Sequence, residues 1–278
     1  MDRAQVLKML AKEVLDGKPC FSSNVHVALK IRQALDDPDC HADEAVRLVQ
    51  AEPMLAARVV AMANSIAFNP GGNEITDVRK AVSRLGFRTV RNLATALVTR
   101  QMAQMPVTPA ERSLAAGLWE YTANVASLAR VLARQVTRQD PETAVFAAIV
   151  HDVGGFYLLA RAADFPGVLA TGLDDDDIEG EILLARAVLQ ELSVPESVVS
   201  GIEDFWKGYL GLPPQSLGDT LLLAAQLSPV QRPLNPLAGR NRGEMAADLN
   251  LLVGETDLQA ILAEAADEVR SLLAVLHF

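Results

Sequence analysis

Cysteine is nearly absent: Cys20 and Cys40 are the only two in 278 residues. That is too few for a disulfide framework, and two reduced thiols in a cytoplasmic setting are expected. Histidine is as scarce, with His26, His41, His151 and His277 making four, which limits any site built on imidazole ligands. Aromatic residues are 5% of a chain that is 50% hydrophobic; Ala and Leu dominate the apolar share, a mix that favours helices. No apolar run approaches the ~20 residues of a membrane span, and Met1–Asp16 mixes charges into its apolar positions, unlike a signal peptide. No membrane association is expected. Period-two alternation between turn residues is almost missing, and there is no convincing repeat at the periods of solenoid folds. Asn69-Pro-Gly-Gly lacks the Lys-Ser/Thr of a phosphate loop. Ser22, Ser23, Ser65 and Ser83 have no detectable His–Asp partnership, so a serine hydrolase is not supported.

Charge is present but unevenly placed. Residues 1–105 carry 14 Lys and Arg against 11 Asp and Glu, whereas residues 106–278 carry 11 against 24, within a net charge of −10. So acidic a chain is a poor nucleic-acid binder, because such binding depends on neutralising phosphates; no nucleic-acid partner is expected. The densest basic cluster is Arg79, Lys80, Arg84, Arg88 and Arg91. Lys80 and Arg84 lie one helical turn apart, and Arg88 and Arg91 share a face of the following helix. Such a patch suits a phosphorylated partner, a nucleotide phosphate or an acidic protein surface. Solvated charges paired with Asp77 and nearby carboxylates, or a face that docks on the acidic second lobe, explain it as well.

The apolar spacing predicts an all-α chain of two lobes, 1–105 and 106–278, with the Pro106 to Pro109 stretch between them. Helices are expected at 1–16, 24–35, 42–50, from Pro53 to about 63, at 77–85 with Thr76 as cap, and at 88–102. In the second lobe they are expected from Pro109 to about 136, then at 141–151, 155–163, 179–192, 196–206, 216–227 and 256–275. Asp174–Asp177 lacks the alternating oxygen ligands and terminal Glu of a calcium loop and is read as a solvated turn. Phe205, Trp206 and Tyr209 are read as a core anchor at a helix end. The last helix, Leu258–Val275, either covers the second lobe or joins a homodimer.

One stretch stands out chemically. In Ala147-Ala-Ile-Val-His-Asp-Val-Gly-Gly-Phe156 an apolar helix delivers adjacent His151 and Asp152 to its end, where Gly154 and Gly155 are expected to break it. Two neighbouring ligands at a helix terminus suit a metal that activates water against a phosphate ester. Within the second lobe's helical body, however, His151 is the sole histidine. A depleted site would need carboxylates such as Glu181, Glu203 or Asp204, a set that a hard ion such as Mg²⁺ tolerates. The alternative is a hydrogen-bonded helix-end pair in a packed pocket, with Tyr121 filling space beside it.

Glu52-Pro-Met-Leu-Ala-Ala-Arg58 leads to Ala63-Asn-Ser65. Ile75-Thr-Asp-Val-Arg-Lys-Ala-Val-Ser-Arg-Leu-Gly-Phe-Arg-Thr-Val-Arg-Asn-Leu93 follows, then Leu118-Trp119 and His151-Asp152-Val-Gly154. In this order the motifs resemble the HDOD family over about residues 19–230. The resemblance implies a helical fold related to the HD phosphohydrolase superfamily, and bacterial signalling proteins that commonly lack the full metal site. The departures from the HD pattern lie where it has metal ligands. Trp119-Glu-Tyr121 stands where a His is usual, and Gly155 replaces a frequent Lys. Ile178-Glu-Gly-Glu181 and Glu203-Asp-Phe-Trp206 fall where further histidines occur, and Gln226 falls near the last Asp.

The expected protein is therefore a non-catalytic bacterial regulatory module, a pseudo-enzyme with a vestigial, metal-free His151–Asp152 pair and no cofactor. The chain has no receiver-like or cyclase-like α/β pattern, so a signal is expected to arrive through partners or dimerisation; signalling proteins of two-component or cyclic-di-GMP pathways are the partners that the family resemblance implies. The competing expectation is a phosphohydrolase using Mg, Mn or Fe at His151 and Asp152 on a nucleotide or phosphate ester.

Overall fold

The structure, a computed structural model, describes residues 2–16, 31–35, 37, 39–50, 53–72, 75–103, 108–169, 175–192, 194–234 and 260–266. Cys20, His26, His277 and most of the expected helix 258–275 lie outside them. Every regular element among the described residues is helical, as the composition led one to expect. The chain forms two compact units, residues 1–20 with 102–265, and residues 21–101 with 266–278. The change of unit at 101–102 lies beside the expected boundary, but the first helix groups with the larger unit.

In the larger unit the helices are α1 (Arg3–Leu15), α5 (Pro109–Leu132), α6 (Pro141–Val150), α7 (Val153–Arg161), α8 (Asp175–Glu191), α9 (Glu196–Lys207) and α10 (Leu217–Leu227). The smaller unit holds α2 (Ala42–Gln50), α3 (Pro53–Ala63) and α4 (Val78–Ala103).

Helix α5 begins with a reciprocal cap. The Thr108 side chain accepts from the Glu111 N–H, and Glu111 accepts from the Thr108 N–H, with Pro109 at a position where no N–H is needed. From Tyr121 to Ala129 every residue is buried, so α5 is the core against which α6 and α10 pack. A π-helical turn, Ala133–Thr137, prolongs it to the left-handed Arg138. Helix α1 presents Val6, Leu7, Leu10, Ala11 and Val14 to the interior and packs on α8. Arg3 fastens it there, donating to the Val168 carbonyl at 2.7 Å and pairing with Glu181 and Asp177. These long-range ties draw α1 away from the lobe to which sequence proximity had assigned it.

Two local expectations change. Asp175–Asp177 forms the first turn of α8; three carboxylates there are favoured by the helix dipole, so the acidic run starts a helix. Asp77, not Thr76, caps α4, accepting from the Lys80 N–H at 2.8 Å. The break expected at Gly86 is present: with φ 74° and ψ 159° it leaves the helical region and kinks α4 into two segments, a backbone conformation that suits glycine. Elsewhere in the smaller unit Asn64 works as a clamp: it accepts from the Ile75 N–H at 2.8 Å and donates to the Ile75 carbonyl at 2.6 Å. The Asn-Ser motif thus closes the 66–74 connection.

Pro141–Asp164 is, by length and composition, apolar enough to cross a membrane, more so than the sequence reading allowed. The stretch is nevertheless broken into α6, α7 and a 3-10 turn, and 89% of its most apolar window is buried.

Candidate functional site

All seven residues from Ala144 to Val150 are buried, so α6 runs through the core and carries its last side chains inside. The chain breaks at His151 and Asp152, and α7 starts at Val153. Gly154 and Gly155 therefore lie inside a helix rather than ending one. Their role is close approach: a Cβ on Gly154 would stand 2.7 Å from Ala185 Cβ, so α7 packs on α8 only with glycine there.

His151 is 3% exposed and Asp152 2%. His151 Nδ1–H donates to the Ala148 carbonyl at 2.6 Å. That bond assigns the tautomer and leaves Nε2 as a lone-pair acceptor. Nε2 is buried with no hydrogen-bond partner; the nearest acidic oxygen, Asp152 Oδ2, lies 3.8 Å away. Aromatic rings enclose the imidazole, Tyr121 at 5.8 Å and Phe205 edge-on at 5.4 Å. Burial, the largest influence, lowers the His151 pKa and outweighs the Asp152 charge that would raise it. The ring is held neutral.

Asp152 meets a residue that the sequence reading overlooked. Arg232, beyond the end of α10, places Nε 2.7 Å from Oδ2 and Nη2 2.6 Å from Oδ1. This is a two-pronged guanidinium–carboxylate pair, with side chains 6% and 2% exposed. Burial is the largest influence on the Asp152 carboxyl and would raise its pKa. The charge and hydrogen bonds of Arg232 reverse that, and the pKa lies below its ordinary value. For Arg232 burial likewise opposes the charge, but Asp152, with Glu181 and Tyr121, pushes the pKa up. Both partners stay ionised. Arg232 carries no motif signal: it stands in Pro229-Val-Gln-Arg-Pro-Leu234, 80 residues from its partner.

A divalent metal would require Asp152 oxygens and at least one further carboxylate beside His151 Nε2. Arg232 engages both Asp152 oxygens. Glu181 is paired with Arg3, Glu203 with Arg186 at 2.5 Å and Asp204 with Lys207 at 2.8 Å. Among the described residues no three His, Cys, Asp or Glu side chains are placed to hold one ion. His151 and Asp152 lie side by side in the core, but this donor set does not fit a metal, and a guanidinium beside it would repel one.

Phe205 and Trp206 are buried, in keeping with a core anchor, whereas Tyr209 is 76% exposed. In the smaller unit, the basic cluster is partly engaged: Arg79 pairs with Asp43, Lys80 with Asp77 at 3.1 Å, and Arg84 bonds the Asn69 side chain. Arg79, Lys80, Arg84 and Arg88 are exposed and Arg91 is half-buried.

The model of the HDOD domain matches residues 22–191. No curated protein matches the chain. Three solved structures share the fold. A candidate metal-dependent phosphohydrolase from Shewanella amazonensis is 20% identical, with a TM-score of 0.70 over 98% of this chain and 100% of that one. An HDOD domain protein of unknown function from Geobacter sulfurreducens is 19% identical, with a TM-score of 0.63 over 98% and 97%. A candidate signal transduction protein from Marinobacter aquaeolei is 18% identical, with a TM-score of 0.62 over 100% of this chain and 67% of that one. The ordered motifs from Glu52 to Gly154 fall within the matched span, and the chain belongs to the HDOD family.

Proposed function

We propose that this HDOD chain is a non-catalytic regulatory module that acts by binding a signalling protein. One observation carries the reading: the carboxylates that a depleted metal site would recruit, Glu181, Glu203 and Asp204, are each paired with a different cation. Asp152 is itself neutralised by Arg232. Hydrolysis of a phosphate ester through a metal-activated water needs a cation with an open position and a water bound to it. The pair as built supplies charge balance instead.

Partner binding falls to the exposed basic face of α4, which suits an acidic or phosphorylated surface. Two-component and cyclic-di-GMP proteins, in the cytoplasm, are the partner classes to search. Against this reading stand the name of the Shewanella protein and the open lone pair of His151 Nε2; they keep a metal-dependent phosphohydrolase as the second reading. The test is metal content and phosphodiesterase turnover, measured together on protein expressed with added manganese and iron and purified without chelators. Substoichiometric metal and no turnover are expected. Stoichiometric metal with turnover abolished by Asp152→Ala would establish the second reading.

A further inference from the structure

The residues after α10 are seated on the His151–Asp152 site. Ser228 Oγ donates to the Val230 carbonyl at 2.8 Å and accepts from the Val230 N–H at 3.3 Å, a tight local turn at the helix end. Arg232 then enters the site and forks onto Asp152. Pro233 follows and lies over Gly117, where an added Cβ would stand 3.6 Å from Pro233 Cγ. Leu234 lies over Gly155, where an added Cβ would come within 3.1 Å of Leu234 Cδ1 and of Asp152 Oδ1. Three consecutive residues thus meet three features of one floor: a buried carboxylate and two glycines.

Gly155 is the position where the HD pattern often has Lys. A side chain there would press on both Leu234 and Asp152. Glycine at 155 and the arginine three residues after Pro229 therefore belong to the same arrangement. We propose that residues 229–234 are a resident strap seated on Gly117 and Gly155, and that Asp152 is a guanidinium-binding site whose occupant is this chain's own Arg232. The inference rests on the metal-free reading of the site and adds to it what the site holds. Arg232 supplies a fixed positive charge against Asp152, in a planar geometry that a compact metal ion or a lysine ammonium does not reproduce.

The test uses the full chain carrying Arg232→Ala. Removing one member of a buried ion pair leaves Asp152 charged and unpaired, and the thermal midpoint should fall by about 5–15 °C. Millimolar methylguanidinium chloride should recover part of that loss in a saturable way, compared with sodium chloride at equal ionic strength. It should do nothing for wild type or for the Arg232→Ala/Asp152→Asn double variant. Manganese chloride should not substitute. An unchanged midpoint in Arg232→Ala, absence of guanidinium rescue, or rescue by manganese alone would overturn the proposal. Should Arg232→Ala fail to fold, Arg232→Lys keeps the charge without the fork, and stability equal to wild type in that variant would overturn it as well. Metal content and turnover of the wild-type protein are separate readouts: they decide the non-catalytic reading whichever way the rescue falls.

Discussion

Asp152 shows how one residue type takes opposite roles in different surroundings. A carboxylate at a helix break is a metal ligand when neighbouring donors converge, and a salt-bridge acceptor when an arginine arrives first. Truncating it leaves Arg232 buried and uncompensated, so Asp152→Ala should cost about 3–5 kcal/mol in chemical denaturation. The pair also predicts an acid-side weakness. His151 is held below its ordinary pKa of 6.5, so under mildly acidic conditions the unfolded chain takes up a proton that the folded chain refuses. Its contribution is intact above that pH and diminishes below it. Asp152, depressed below its ordinary 3.8, retains its contribution until the pH falls through 3.8 toward the folded value. Denaturation midpoints followed from pH 7 to pH 5 should decline in wild type, and His151→Gln should flatten that slope. His151 and Asp152 were legible from sequence because they are adjacent and end an apolar helix. Arg232 was not, because nothing local marks an arginine whose partner lies 80 residues away.

At the scale of elements, contact distance decides more than propensity does. Gly154 reads in the sequence as a helix breaker, yet it lies in the first turn of α7, where Ala185 leaves no room for a methyl group. Gly154→Ala would set a Cβ 2.7 Å from Ala185 Cβ and 2.8 Å from its Cα. Backbone cannot swing aside as a flexible side chain can, and a loss of about 1–3 kcal/mol is expected in thermal or denaturant unfolding. At the start of α4 the cap is a single carboxylate, so Asp77→Ala should cost about 1 kcal/mol, and hydrogen exchange should localise the loss to the first turn. Most helix spans were legible because apolar spacing and prolines are local signals: Pro53 and Pro109 each open a helix. The acidic run at Asp175 was misread as a turn because a helix start and a solvated loop both favour carboxylates.

For the whole molecule, the proposed partner binding draws on the uneven charge. The exposed cations of α4 belong to the smaller unit and the buried ion pair to the larger one. Arg84→Glu with Arg88→Glu should therefore abolish capture of an acidic partner while leaving the denaturation profile of wild type nearly unchanged, since exposed charges contribute little to stability. Binding measured by titration calorimetry should also weaken with rising salt, as expected when exposed charges carry the attraction. Partner binding that survives the double reversal would assign recognition to another face.

Helical class, most helix starts, the HDOD motif order and the His151–Asp152 pair are properties of residues close together in the chain. Capping, amphipathic spacing and adjacency act over a few positions, so the sequence alone determined them. Tertiary structure decided which distant side chains reach the site. It brought Arg232 to Asp152, and it paired Glu181 with Arg3 and Glu203 with Arg186; the Asp204–Lys207 pair, by contrast, is local to one helix. Fold closure, rather than residue type, determines whether a buried carboxylate faces an open coordination site or a guanidinium, because charge pairing depends on separation in space.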